Sequence, residues 1–174
     1  MLRSYAIAIG AFFALAAGSA VAGDIAWQLV GARGAPVSDA VITVYPQGFL
    51  KADAFKFDWP TEMDQHNLQF SPFVLVVPVG ASVTFPNRDA VRHHVYSFSP
   101  AKKFELKLYG RDETRSVRFE KSGVVALGCN IHDNMVAFIK VVDTPFATKA
   151  DAKGQAMMRD VPVACPQGVI HLQC

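Results

Sequence analysis

The sequence predicts an all-β sandwich, and three features point that way. Runs of β-branched and aromatic residues are short, they recur at regular spacing, and turn residues separate them. No stretch carries a convincing long helical period, and no internal repeat or low-complexity tract is visible. With 174 residues, the chain has room for one domain with a real core.

The elements follow in order. "MLRSYAIAIGAFFALAAGSAVAG" carries one arginine, an apolar run from Tyr5 to Ala17, then small residues. Ala20-Val21-Ala22 fits a signal-peptidase site, so residues 1–22 are expected to be a signal peptide and the mature chain to be periplasmic. The run is short for a membrane span, which needs roughly 20 residues, and no basic stop-transfer cluster follows. No span is therefore expected after cleavage.

Residues 23–143 are expected to form the sandwich. It begins with "DIAWQLV" and "VITVYP", which read as a β-hairpin across the turn-rich "GARGAPVSDA". Residues 47–70, "QGFLKADAFKFDWPTEMDQHNLQF", are irregular and read as a long loop insertion, with room for a short helix, over one edge or end. "PFVLVVPVGASVTFPN" gives two strands broken at Pro78-Val79-Gly80. "VRHHVYSFS", "KFELKLY", "RSVRFEKSGVVALGC" and "MVAFIKVVD" continue the pattern. Residues 144–174 read as a C-terminal extension with a hairpin around Asp151–Gly154. Its last stretch, "ACPQGVIHLQC", is open to truncation or a shifted reading frame.

Charge and cysteine content narrow the function classes. Seventeen Lys and Arg stand against 15 Asp and Glu, a formal net charge of +2 that loses one unit when Arg3 leaves with the signal. So weak a balance, with no basic run interleaved with aromatics, argues against nucleic acid. The cysteines are Cys129, Cys165 and Cys174. In an oxidising compartment two can pair, and a Cys165–Cys174 bridge would leave Cys129 as the free thiol a metal requires.

"LGCNIHDNM" places Cys129, His132 and Met135 at intervals of three. Thiolate, imidazole and thioether are the donors of a blue-copper centre once a second histidine joins them. "VRHHVYSFS" offers two, 36 and 35 residues before Cys129. Alternate strand residues face opposite ways, so His93 shares a face with Val95 and Ser97, and His94 with Tyr96 and Phe98. One histidine is expected to bind the ion, and periodicity does not choose between them. His66 and His171 read as solvated, and Asp133 and Asn134 as loop-formers.

From about Phe73 to Val142 the chain resembles the cupredoxin family, whose small Greek-key β-sandwiches hold copper. "VTFPNRDAVRHHV" is similar to the family's stretch ending in His-Asn-Val, which implies His93 as the first ligand and puts His94 in the place of asparagine. "KSGVVALGCNIHDNM" is similar to the family's closing Cys-x-x-His with a following Met, in the short spacing of amicyanin-like members, although Asp133 stands where they have proline. The signal segment, "HHVYSFSPAKKFEL" and "LGCNIHD" further resemble plastocyanin-like proteins labelled methylamine-utilisation proteins. "GARGAPVSDAVITV" also resembles carboxypeptidase-regulatory-like β-sandwich modules, and it is expected to supply the first strands of the same sandwich.

The resemblance implies a cupredoxin-like fold and one copper per chain, bound by His93, Cys129, His132 and Met135. It implies a monomeric electron carrier with a redox partner such as a periplasmic cytochrome or dehydrogenase. With protein donors filling the copper positions, no enzyme is expected. A copper-binding or delivery protein without a redox role, and an interaction module with a degenerate site, are the alternatives. Structural zinc suits a thioether poorly. A dinuclear copper site needs a second cysteine where Val125 stands, and haem attachment needs an absent Cys-x-x-Cys-His.

Overall fold

The computed structural model describes residues 22–46 and 54–162, together with the backbone of 169–173. The expected signal segment up to Val21, and Cys165 and Cys174 with their expected bridge, lie outside the described residues. The described chain is all-β: no helix occurs in it. Its strands are β1 (Ala22–Gln28), β2 (Val41–Tyr45), β3 (Asp64–His66), β4 (Gln69–Ser71), β5 (Val74–Pro78), β6 (Ser82–Pro86) and β7 (His93–Ser97). They continue with β8 (Phe104–Tyr109), β9 (Thr114–Arg118), β10 (Gly123–Cys129), β11 (Val136–Val142), β12 (Ala147–Lys149), β13 (Gln155–Pro162) and β14 (Val169–Gln173).

The central layer is a five-stranded mixed sheet in the order β5-β11-β10-β7-β8, in which only β5 and β11 run parallel. The antiparallel pair β6–β9 supplies the facing layer. Period-two alternation decides what meets between them. Val125, Leu127 and Cys129 of β10 are buried, while Val124 and Ala126 are exposed. They join Leu75, Val77, Val83, Phe85, Val95, Val117 and Ile139 in one apolar cluster.

The expected break at Val79-Gly80 is present, with Gly80 at φ 88 between β5 and β6. The 47–70 segment is more ordered than expected where it is described, because β3 and β4 form a tight hairpin. Its two central residues, Asn67 and Leu68, both have positive φ (54 and 57). A leucine takes that conformation only against a steric cost, and the sequence carries no glycine there to announce the turn.

The expected hairpin of the first two strands does not form. β1 pairs instead with β13, in register from Ala22↔Pro162 to Gln28↔Gln155. β2 lies between β12 and β14 in a separate sheet. The turn at Gly31–Pro36 closes only a single bridge, Val30↔Pro36. The strands around Asp151–Gly154 likewise diverge, β12 to β2 and β13 to β1. The reason is non-local pairing and burial: β2 takes both of its strand partners, and part of its packing, from the far end of the chain.

That burial is visible residue by residue. Ile42 packs with Leu29, Ala40, Ala150 and Ala156, and Val44 with Met158 and Val161. Val41 joins Val76, Val142 and Ala147, which ties β2 to the central sheet. β2 is thus buried on both faces, and the burial of "VITVY" runs through four consecutive residues without alternation.

Candidate metal centre

Three of the four expected donors meet where β10 ends and β7 and β11 begin. His93 opens β7 on its core-facing side, and Cys129 closes β10 on the same side. The pairing Cys129↔Val95 brings those strand ends level. His132 sits on the short loop before β11, half-buried, while His93 and Cys129 are buried. Cys129 Sγ lies 3.9 Å from His93 Nδ1 and 3.6 Å from His132 Nδ1. One ligand atom from each of the three falls within 4.8 Å of the others, and the two imidazole rings are 5.0 Å apart.

The loop is short because it closes on itself. The Met135 N–H donates to the His132 carbonyl at 3.0 Å, and the Asn130 N–H donates to the His94 carbonyl at 3.3 Å. Met135 is buried in the same apolar cluster as Cys129. Ile131 and Val136, beside His132 and Met135 in sequence, are exposed.

His93 is held from behind. Its Nε2 lies 2.7 Å from Asp89 Oδ2, which leaves Nδ1 on the side of Cys129. The Asp89 carboxylate also accepts the N–H groups of Asn67 (2.7 Å) and Leu68 (3.0 Å). Burial alone would raise the Asp89 pKa, but the bonds from Leu68, His93 and Asn67 outweigh it and hold the carboxyl below its ordinary value. Asn87 supports the same segment: its side chain accepts the Asp89 N–H and donates to the carbonyls of Val91 and Tyr109.

His94 faces the other way. Its Nε2 pairs with Glu105 at 2.8 Å, and its ring lies near that of Tyr96, whose own ring neighbours Phe98. His66 is exposed, 4.0 Å from Asp89, and no described feature brings it to the thiol.

Asp89, Asn87 and Gln65 were not visible as site residues in the sequence. The one signal was "PNRD", where Asn87 and Asp89 have the spacing of an Asx turn, which the structure contains. Gln65 is buried and donates to the Pro86 carbonyl and to the Tyr109 hydroxyl, which itself donates to the Phe85 carbonyl at 3.0 Å. This network anchors the strand just before Asn87.

The donor set fits copper. A thiol and two imidazoles converge, with His93 and Cys129 buried and a methionine in the same apolar cluster as the thiol, and the ring nitrogen of His93 remote from the thiol is already satisfied.

No family model matches the chain, and no curated protein does. Among solved structures the chain is similar to a purple cupredoxin from Nitrosopumilus maritimus, at 25% identity over 47% of this chain and 98% of that one, with a TM-score of 0.42. It is similar to a copper-containing nitrite reductase from Thermus scotoductus SA-01, at 25% identity over 57% of this chain and 26% of that one, with a TM-score of 0.47. A reduced amicyanin variant is 23% identical over 58% of this chain and 98% of that one, with a TM-score of 0.44. None of these reaches a TM-score of 0.5, and the metal assignment stands on the donors alone.

Proposed function

We propose that this chain is a type 1 copper protein that passes single electrons between redox partners. The observation that carries the reading is the convergence of Cys129 Sγ with Nδ1 of His93 and His132 inside a β-sandwich core. His93, Cys129 and His132 would hold the ion, and Met135, buried in the same apolar cluster as Cys129, would add a thioether. Copper, when bound, would supply a one-electron Cu(II)/Cu(I) couple.

The protein's own part is to keep the donors still. The paired ends of β7 and β10 fix His93 and Cys129, and the closed 130–135 loop fixes His132. Were Met135 to complete the set, four protein donors would leave no position for a substrate, and the chain is read as a carrier and not an enzyme. The half-buried His132, with exposed Ile131 before it and exposed Val136 at the end of the same loop, is the exit towards a partner. Lys103 and Lys107 are exposed near β8 and suit an acidic partner such as a periplasmic cytochrome or dehydrogenase.

In this reading the N-terminal segment addresses the chain to the periplasm, and the protein is taken to act as a monomer. The link to methylamine utilisation rests on the sequence resemblance. No helix among the described residues is long and apolar enough to cross a membrane.

Stopped-flow oxidation of the Cu(I) form by a periplasmic cytochrome tests the reading, repeated with Val136→Asp beside the exit. Fast transfer that Val136→Asp slows supports it. Slow transfer in both, with rapid release of copper to a chelator, would mean a copper carrier instead.

A further inference from the structure

The β3–β4 hairpin does something that a surface loop has no need to do. Its two turn residues, Asn67 and Leu68, both lie in the left-handed region, at φ 54 and 57. A two-residue turn of this kind favours glycine at its second position, and here a half-exposed leucine holds it. Both turn N–H groups point at one carboxylate, Asp89, at 2.7 and 3.0 Å. The same carboxylate lies 2.7 Å from His93 Nε2.

We propose that the hairpin Asp64–Ser71 is a clasp for the first histidine, and that Asp89 is the positioning residue through which it acts. The inference rests on reading His93 as a metal ligand. Three donors converge on a carboxylate whose side chain is 11% exposed, so its oxygens have little freedom to turn. With one oxygen committed to His93 Nε2, the ring proton is fixed there and Nδ1 keeps its lone pair for the side of Cys129. The turn's backbone strain is offset by the same hydrogen bonds, so the hairpin's conformation and the ring's tautomer are one linked arrangement. Linkage is reciprocal: whatever fixes His93 must also protect the turn amides.

The hairpin does not depend on Asp89 to stay attached. The Arg88 N–H donates to the Gln65 carbonyl at 2.9 Å, the Arg88 guanidinium reaches Glu62 at 2.9 Å and Asp64 at 3.0 Å, and Gln65 bridges to Asn87. Removing the carboxylate therefore isolates positioning from docking.

The test uses Asp89→Ala, with Asp89→Glu as the conservative rescue and Leu68→Gly as a variant that relaxes the turn but keeps its N–H groups. Imidazole nitrogen NMR of the metal-free protein should find His93 protonated at Nε2 in wild type and Leu68→Gly, and a tautomer mixture in Asp89→Ala. Amide exchange at residues 67 and 68 should speed up by about tenfold or more in Asp89→Ala, the scale of a lost hydrogen bond to a charged group. One copper should still bind Asp89→Ala, with a shifted visible band that Asp89→Glu restores. If Asp89→Ala does not fold, Asp89→Asn is read the same way, because one of its two oxygens is lost as an acceptor. An unchanged tautomer and unchanged band in the variant would overturn the proposal and leave Asp89 as a turn cap only. A wild-type protein that binds no copper would defeat the metal reading, and the tautomer and exchange results would still decide the clasp.

Discussion

The two faces of strand β7 carry neighbouring histidines with different surroundings. On the inner face His93 is fully buried, backed by Asp89 and turned towards Cys129 and His132. On the outer face the His94 side chain is 12% exposed and meets Glu105, which is 60% exposed. The two residues share chemistry and backbone; the face of the pleat separates them. A histidine's role here is set by what its strand partners place opposite it. Inside, the register with β10 supplies a thiol; outside, the register with β8 supplies a solvated carboxylate.

Breaking the inner face should have the largest effect. His93→Asn is expected to lower copper affinity by more than about a hundredfold, beyond the usual cost of losing a partner behind a ligand, while His94→Asn changes it only a few-fold. Competition with a chelator reads both constants. Copper loss in His94→Asn with retention in His93→Asn would reverse the assignment of faces.

A change far from β7 tests whether the comparison is local. Gly154 has φ 73, and a Cβ placed there would lie 2.4 Å from the Leu29 carbonyl oxygen and 3.1 Å from the Val37 nitrogen. Gly154→Ala is expected to destabilise the protein by about 2–3 kcal/mol in chemical denaturation. The copper band of the folded fraction should stay as in wild type, because β1, β2 and β13 pack on clusters separate from Cys129. A large spectral change would show that the terminal strands support the site directly.

The inner face also carries a phenol. Tyr109, opposite His93 in the β7–β8 register, is pushed up to about 12 by burial, against the smaller lowering from Gln65 and Arg115. A raised phenol pKa means that the folded state favours the neutral form. Its stabilising contribution is complete below about pH 10 and is lost as pH climbs from 10 towards 12. Tyr109→Phe should flatten the loss of stability over that interval, read by thermal melts at stepped pH. Parallel curves for the two proteins would exclude Tyr109 as the cause.

The smallest effect belongs to the outer face. Glu105→Gln breaks a surface pair with His94 and is expected to cost no more than about 1 kcal/mol, falling with added salt. A larger, salt-insensitive cost would mean that this pair is structural.

How much of this the sequence disclosed depends on the range of the contact involved. β6, β7, β8 and β11 lie inside the runs expected of them because burial near alternate positions writes itself locally, and β5, buried at four consecutive positions, shows as an unbroken apolar run. The convergence of Cys129 and His132 was legible from their spacing, and the inner placement of His93 required the resemblance. Asp89 was not marked, since its function comes from two amides more than 20 residues away. The hairpin that supplies them was hidden by a leucine where a turn signal puts glycine. The pairing of β1 with β13 was illegible for the same reason on a larger scale: nothing in "DIAWQLV" names a partner over 120 residues on. Glycine and proline between the first two strands suggested a hairpin, and tertiary burial overrode it.

The central claim is that Cys129 is a copper ligand, and anaerobic titration of the purified metal-free protein with Cu(II), followed by its visible spectrum, tests it most directly. The account predicts saturation at one copper per chain, with an intense thiolate-to-copper band that Cys129→Ser abolishes and His94→Asn retains. A colourless complex in wild type, with the Cys129 thiol still open to alkylation at full copper loading, would contradict it.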